Sequence, residues 1–211
     1  ATLCLLGLSV AIAAQAGIFN CGGEGQLYFG AMASALLGAK LNGAPAVIAV
    51  PLCLIAATLA GAAWAFIPAW FKVKLKVNEV ITTIMLNSVA TYFCAYLSNG
   101  PLKTAERGIA SGTAKIDNAF AFSRVINLSN LTTSIFVSAA VALFLWYLMR
   151  RTTIGYEMKL TGENERFAYY TGIRSKKLML WGMIISGAIC GMVGMFEVFG
   201  LHKRFTDSVS N

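Results

Sequence analysis

Charged side chains are scarce in this sequence. They make up 12% of its 211 residues, whereas hydrophobic residues make up 57% and the mean hydropathy is +0.68. Soluble domains carry about 25% charged residues, so this composition excludes an ordinary water-soluble globule and favours an integral helical membrane protein. The net charge of +8 then belongs to loops between apolar runs, where it sets membrane orientation, and we expect no nucleic-acid partner.

The residues of common catalytic and metal sites are also sparse. There is a single histidine, and the five cysteines lie in or beside apolar stretches, without the spacing of a metal site or a disulfide framework. The sequence has no Walker phosphate-binding loop and no metalloprotease or serine-hydrolase motif. We therefore expect no catalytic residue, no metal and no cofactor in this chain, and any ATP hydrolysis in a separate subunit.

Six apolar runs predict an all-α bundle of about five to six transmembrane helices. The runs cover residues 1–16, 27–39, 45–71, 79–97, 131–149 and 178–200, within one partial transmembrane domain over residues 1–211. At about 1.5 Å per residue the second run reaches roughly 20 Å, too short for a hydrocarbon core of about 30 Å. It is therefore a half-helix or re-entrant segment, or it gains length from the polar residues before it. Pro51 and Pro68 are expected to bend or end the third run.

Basic residues predict which loops face the cytoplasm. Seven of them lie between residues 150 and 177, and three lysines lie between residues 72 and 76. Because cytoplasmic loops are enriched in lysine and arginine, we place both segments on the cytoplasmic side. The polar connection 98–130 is then an external loop.

A polar, glycine-rich segment interrupts the apolar sequence near its start. Residues 17–26 read GIFNCGGEGQ and combine four glycines with Asn20, Glu24 and Gln26. Glycine weakens a helix and permits turns, and unpaired backbone groups at membrane depth persist only inside protein or beside a cavity. We predict a broken or re-entrant helix, with these three polar side chains at a translocation pathway or at the break itself. Glu24 either contacts solute or holds the break by accepting backbone N–H groups.

A second polar cluster, residues 78–87, opens the fourth apolar run. Thr83 and Asn87 are spaced to share one helical face with Glu79, which places an acid, a hydroxyl and an amide on one stripe. Two interpretations stay open. The stripe lines the translocation pathway, or Asn78 and Glu79 mark a capped helix start while Thr83 and Asn87 hold neighbouring helices together.

The charged segment 150–177 contains the pattern of a short surface helix. Thr161 or Gly162 is placed to cap it, and Glu163 follows in its first turn. Gly172 is placed to end it. Such a helix lies on the lipid surface or in a groove of a partner protein, and the pattern favours neither.

One further acid lies inside an apolar run. Glu197 comes late in the last run, where an acid either pairs with a polar group across the bundle or reaches the membrane interface. Its position near the predicted helix end favours the outer interface.

Together these phrases resemble one family, the membrane-spanning permeases of bacterial ABC importers, in the branch that also serves branched-chain amino acids and ribose. Within that branch the sequence is most similar to nucleoside and simple-sugar permeases. The resemblance rests on the phrases at 17–26 with Gly30-Ala31, 78–87 with GPLK at 100–103, TGEN at 161–164 through Gly172-Ile173 to SGAICG at 186–191, and EVFG at 197–200 with Arg204-Phe205.

The resemblance implies a multi-pass permease subunit in a bacterial cell membrane. Its implied partners are ATP-binding subunits, a second permease subunit, an extracellular solute-binding lipoprotein and membrane lipid. The surface helix would be the coupling helix, with ATPase docking at Thr161, Gly162, Glu163, Asn164 and Gly172. The chain resembles about the middle of such a permease. The residues alone leave an ion-coupled secondary transporter as the alternative, because such transporters also use broken helices and polar groups at the midplane.

Overall fold

The computed structural model describes residues 2–43, 45–102, 134–202 and 205, with the side chains of 201 and 202 left out. Its regular elements are all helical over these ranges, so the all-α prediction is confirmed. The helices are α1 Thr2–Gln15, α2 Gly23–Lys40, α3 Ala46–Trp70, α4 Glu79–Asn99, α5 Ser134–Arg151, α6 Thr153–Glu163, α7 Glu165–Tyr170 and α8 Ser175–Glu197, with π-helical turns Phe71–Leu75 and Val198–His202.

Four of the described helices are long and apolar enough to cross a membrane. They are α3 continued to Leu75, α4, α5, and α8 continued to Gly200, whereas α1 is apolar but shorter. Many large apolar side chains on these helices are exposed, among them Leu59, Tyr92 and Leu143. Such a surface suits lipid rather than water, and the prediction of a polytopic membrane protein is confirmed. The predicted external loop lies mostly outside the described residues, and its side of the membrane stays a prediction.

The structure decides between the alternatives left open for the second run and excludes one of those for the third. Helix α2 begins at Gly23 rather than near residue 27, so the polar residues do lend it length, and its 18 residues span about 27 Å at the helical rise. Neither Pro51 nor Pro68 ends α3, because both lie inside it. The helix instead passes into the π-helical turn and stops at Lys76, which adopts a left-handed conformation with φ of 54°.

Helix α8 lies at the centre of the bundle and contacts α1, α2 and α3. Its glycines allow this close approach. A Cβ on Gly191 would overlap the Ala57 carbonyl oxygen of α3, and one on Gly30 of α2 would overlap the Gly191 backbone. Gly187 faces Gly61 of α3 in the same way. The three helices therefore pack backbone against backbone, as small residues permit in membranes.

Replacing Gly191 by alanine should destabilise the bundle. The added methyl group overlaps main-chain atoms that belong to a neighbouring helix and cannot rotate away, and overpacking costs typically about 1–3 kcal/mol. Thermal unfolding of the detergent-solubilised protein measures the loss. Gly7→Ala in α1 is the matched control, because among the described residues no atom beyond its own helix turn lies within 4 Å of its added Cβ. Equal unfolding temperatures for the two variants would contradict the packing described.

Candidate functional site

The chain turns sharply between α1 and α2 and runs back into the bundle. Helix α1 ends at Gln15, Gly17 adopts a φ of 79°, and residues 18–22 are not helical. We name residues 16–22 the re-entrant segment. Glycine reaches this positive φ without the strain that a side chain would bring.

Contacts with α8 show the direction of each part. Helix α1 runs antiparallel to α8, since Ser9 meets Ser186 and Ala16 lies beside Gly182. Helix α2 runs parallel to α8, with Gly23 beside Cys190 and a later turn beside Gly194. The re-entrant segment therefore begins at the level of the first turns of α8 and climbs to its middle.

The polar stripe of α4 lies along the re-entrant segment. The Asn87 Oδ1 accepts the Gly25 N–H at 3.0 Å, and the Asn87 Nδ2 donates to the Cys21 carbonyl at 2.9 Å. Thr83 is 1% exposed, and its Cβ would lie 3.2 Å from a Cβ at Gly22. One amide side chain thus bonds both the end of the segment and the start of α2, whose first N–H groups have no intrahelical acceptor.

Glu79 contacts the same segment at Phe19. Asn78 is the N-cap of α4 and accepts the Val80 N–H at 2.9 Å, so the helix starts where the sequence predicted. The Glu79 carboxylate takes a hydrogen bond from the backbone of Phe19 and an ion pair from Lys72 at 2.7 Å. Glu79 therefore contacts the re-entrant segment as well as occupying the first turn of α4, where an acid is favourable.

Asn20 and Gln26 form a buried network rather than an exposed lining. The Asn20 Nδ2 donates to the Gln26 Oε1 at 2.9 Å and to the Ser186 Oγ at 2.7 Å, and the Gln26 Nε2 donates back to Asn20 Oδ1 at 3.1 Å. Ser9 continues the network to Ser186 and Cys190. Gln26 and Ser186 are 1% and 0% exposed. A satisfied buried network of this kind fixes the geometry around it.

A cleft of about 770 Å³ opens between α1, the re-entrant segment, the start of α2 and the second half of α8. Two carboxylates line it, those of Glu24 in the first turn of α2 and Glu197 at the end of α8. Lysine, arginine and histidine are absent from its described lining. The other lining residues are Thr2, Leu3, Leu6, Ser9, Val10, Phe19, Asn20, Cys21, Gly23, Leu27, Cys190 and Val193. The cleft is therefore acidic, partly apolar and large enough for a small polar molecule.

Glu197 is the cleft residue that the sequence did not connect with Glu24. Two alternatives were open for it, a polar group across the bundle or the outer interface, and the second was favoured from its position along one helix. That both acids line one cleft depends on α2 running parallel to α8. No local pattern carries that information, although an acid inside an apolar run was itself a signal.

The charged segment folds as two helices instead of one. Asn164, not Thr161 or Gly162, caps α7, since its side chain accepts the Phe167 N–H at 3.0 Å. Thr161 is buried within α6 and bonds the Glu157 carbonyl. The predicted cap was wrong because α6 continues through both residues before the chain bends at Asn164.

The end of α6 contacts the re-entrant segment directly. A Cβ on Gly162 would overlap the Gln15 carbonyl oxygen and lie 3.2 Å from the Gly17 nitrogen. After α7, Gly172 adopts a φ of 84°, in keeping with its expected place at a helix end. Glu163 and most of α7 are exposed, with Phe167 at 53%.

A sequence model for one family matches residues 1–210. Its description is "Branched-chain amino acid transport system / permease component". The chain belongs to this permease family. No solved structure matches the chain.

Three curated relatives are similar along nearly the whole chain. The guanosine ABC transporter permease protein NupP of Bacillus subtilis is 35% identical, over 94% of this chain and 57% of that protein. The glucose ABC transporter permease protein TsgB13 of Haloferax volcanii is 32% identical, over 96% and 56%. The nucleoside ABC transporter permease protein NupB of Lactococcus lactis is 28% identical, over 96% and 58%. The permease chain thus spans somewhat more than half the length of these relatives.

Loss of the Asn87 side chain should loosen the re-entrant segment of the permease. Asn87→Ala leaves the Gly25 N–H and the Cys21 carbonyl without their partner, at a cost of about 1–3 kcal/mol for each group. We expect a lower unfolding temperature and faster maleimide labelling of Cys21, measured with the exposed Cys4 replaced by serine. Thr91→Ala is the control, because its hydroxyl bonds only within α4, to the Asn87 carbonyl at 3.0 Å. Equal labelling rates of Cys21 in the two variants would contradict the proposal that Asn87 holds the re-entrant segment.

Proposed function

We propose that this chain is part of the membrane-spanning permease subunit of an ATP-driven ABC importer that moves a nucleoside or simple sugar into the cell. The observation that carries the proposal is the acidic cleft beside a broken helix, in a chain of the permease family. Relatives named for guanosine, glucose and nucleosides support a polar, hydroxyl-rich solute. The family match favours this function over an ion-coupled secondary transporter.

The chemistry of the cleft suits such a solute. Glu24 and Glu197 offer carboxylate oxygens that accept hydrogen bonds from sugar hydroxyls and from the N–H groups of a base. Asn20, Gln26, Thr83 and Asn87 instead hold the break in shape, because their described contacts are to protein. We assign solute contact to the two acids and the walls of the cleft, because both carboxylates line it. Binding of this kind is weak, and a transported solute has to be released.

The cytoplasmic segment supplies the link to ATP hydrolysis. We propose that Glu163, Asn164 and α7 dock into an ATP-binding subunit and that Gly172 shapes the end of this docking helix. Gly162 contacts Gln15 and Gly17, so a displacement of α6 acts directly on the re-entrant segment. Thr161 supports this contact from inside the bundle. Rigid-body movement of packed helices is the expected means of opening alternately to each side.

The proposed assembly contains two ATP-binding subunits, a second permease subunit and an extracellular solute-binding lipoprotein in a bacterial cell membrane. Two differently named guanosine ABC transporter permease proteins of Bacillus subtilis, NupP and NupQ, are both similar to this chain. This similarity supports a related rather than an identical second permease. ATP hydrolysis is assigned to the ATP-binding subunits.

Replacing Glu24 should stop uptake without disturbing assembly. Glu24→Ala removes one of the two carboxylates that line the cleft, and a hydrogen bond to a charged group contributes about 1.5–3 kcal/mol. We expect cells with the complete transporter to take up labelled nucleoside or sugar at a small fraction of the rate of the unsubstituted transporter.

The control for this experiment is Thr58→Ala, which removes a hydroxyl of α3 that bonds the Ile55 carbonyl of its own helix and lies outside the cleft. Co-purification with the ATP-binding subunits should be normal for both variants. Undiminished uptake by Glu24→Ala would refute the assignment of solute contact to this residue.

Docking of α7 can be tested through Phe167. Phe167→Ala removes an exposed aromatic ring that we place at the ATPase interface, where aromatic anchors typically contribute more than about 1 kcal/mol. We expect weaker co-purification of the ATP-binding subunits. Phe144→Ala on α5, where the ring is 62% exposed on a membrane-spanning helix, is the control. A similar yield of ATP-binding subunit with both variants would argue against docking through α7.

A further inference from the structure

A groove opens at the end of the bundle where the basic residues gather, between α7, the turn after it and the start of α8. Its volume is about 1020 Å³, and we name it the basic groove. Four cations and one acid line it, namely Arg166, Arg174, Lys176, Lys177 and Glu165. An adjoining cavity of about 400 Å³ adds Lys72 and Lys76. The basic groove therefore attracts anions.

The N-terminus of α8 lies in this groove and adds a second feature. Ser175, the first residue of α8, lines the groove and is 5% exposed. Its Oγ is buried and has no hydrogen-bond partner among the residues that the structure describes. Arg174 at the N-cap provides no side-chain cap. The N–H groups of Ser175 and Lys177 already bond the Ile173 and Arg174 carbonyls. A buried hydroxyl without a partner is costly, so the Ser175 hydroxyl, at a helix end that favours phosphate, fits a phosphate group.

An apolar groove continues from the basic groove along α8. Its volume is about 730 Å³, and it shares Gly172, Ile173, Arg174 and Lys177 with the basic groove. The apolar walls are Leu148, Ile154, Leu178, Trp181 and Ile185, and Glu157 and Thr171 lie at its polar end. Ile185 lies about 15 Å along the helix from Ser175 at the helical rise, inside a candidate membrane span.

We propose that the two grooves together bind one anionic phospholipid from the membrane leaflet next to the basic groove. Its phosphate lies at the N-terminus of α8, and one acyl chain lies along Trp181 and Ile185. Basic pockets on the cytoplasmic side of membrane proteins recognise lipid headgroups of this charge. The residues through which we dock the ATP-binding subunit, Glu163, Asn164 and Phe167, line neither groove. The apolar groove extends into a span where lipid is the surrounding medium, so a lipid fits it better than a water-soluble subunit.

Lipid retention by the intact transporter complex tests the proposal. The complex is exchanged into nanodiscs of mixed phosphatidylglycerol and phosphatidylcholine. Native mass spectrometry then counts the lipids that stay bound to the complex after its release from the nanodiscs. Arg174→Gln combined with Lys177→Gln should weaken phosphatidylglycerol retention about thirtyfold, given the usual contribution of each basic residue near an anionic surface.

The matched control is Arg151→Gln combined with Lys159→Gln. It removes the same charge from the same end of the bundle but changes no residue that lines either groove. This pair should retain lipid like the unsubstituted complex. Equal loss in both pairs, equal retention of the two lipids, or loss of ATP-binding subunits in place of lipid would overturn the proposal.

Tryptophan fluorescence tests the acyl chain without altering the charges. Phosphatidylglycerol brominated on its chain should quench the complex more than brominated phosphatidylcholine does. This difference should disappear in Trp181→Phe and persist in Trp146→Phe, since Trp146 is a comparably exposed ring, at 52%, on α5 outside the grooves. A difference that survives in Trp181→Phe would show that the lipid does not occupy the apolar groove.

Discussion

Backbone hydrogen bonding inside a bilayer is the constraint on which this structure depends. The re-entrant segment 16–22 is not helical, so its N–H and C=O groups cannot satisfy one another in the way helical residues do, and hydrocarbon offers no substitute. Partners in α1, in α4 and in the segment itself meet this requirement, and carbonyls of α1 accept the N–H groups of residues 16–18. Asn87 bonds Gly25 and Cys21, and Asn20 accepts the Gly22 N–H at 2.9 Å.

The same requirement divides the polar residues into two groups. The amide side chains bond protein and hold the segment, as Gln26 does at 1% exposure. The two acids, Glu24 and Glu197, line the cleft. A broken helix thus gives the bundle a polar wall at a depth where a continuous helix would present apolar side chains. The contact between Gly162 and Gly17 then connects this wall to the surface helices through which we propose that ATP hydrolysis acts.

Local signals in the sequence predicted the helices themselves better than they predicted the contacts between helices. The deficit of charge predicted an all-α membrane protein, and Asn78 before an apolar run predicted the start of α4, because capping depends on neighbouring residues. The alternatives at Asn87 stayed open, since its partners are more than sixty residues away and only the assembled helices bring them together. The capping role of Asn164 was missed for a related reason. Both Thr161 and Asn164 suit an N-cap, but α6 continues to Glu163, and within it Thr161 bonds the Glu157 carbonyl.

The position of the re-entrant segment against α4 can be measured directly by disulfide formation. A Cβ on Gly22 would lie 3.2 Å from the Thr83 Cβ, close to the Cβ separation of about 3.8 Å in disulfides. With Cys21 replaced by alanine, Gly22→Cys combined with Thr83→Cys should form a disulfide under mild oxidation, whereas Gly7→Cys combined with Thr83→Cys should not. Two free thiols at positions 22 and 83 that react with maleimide and resist oxidation would contradict the account.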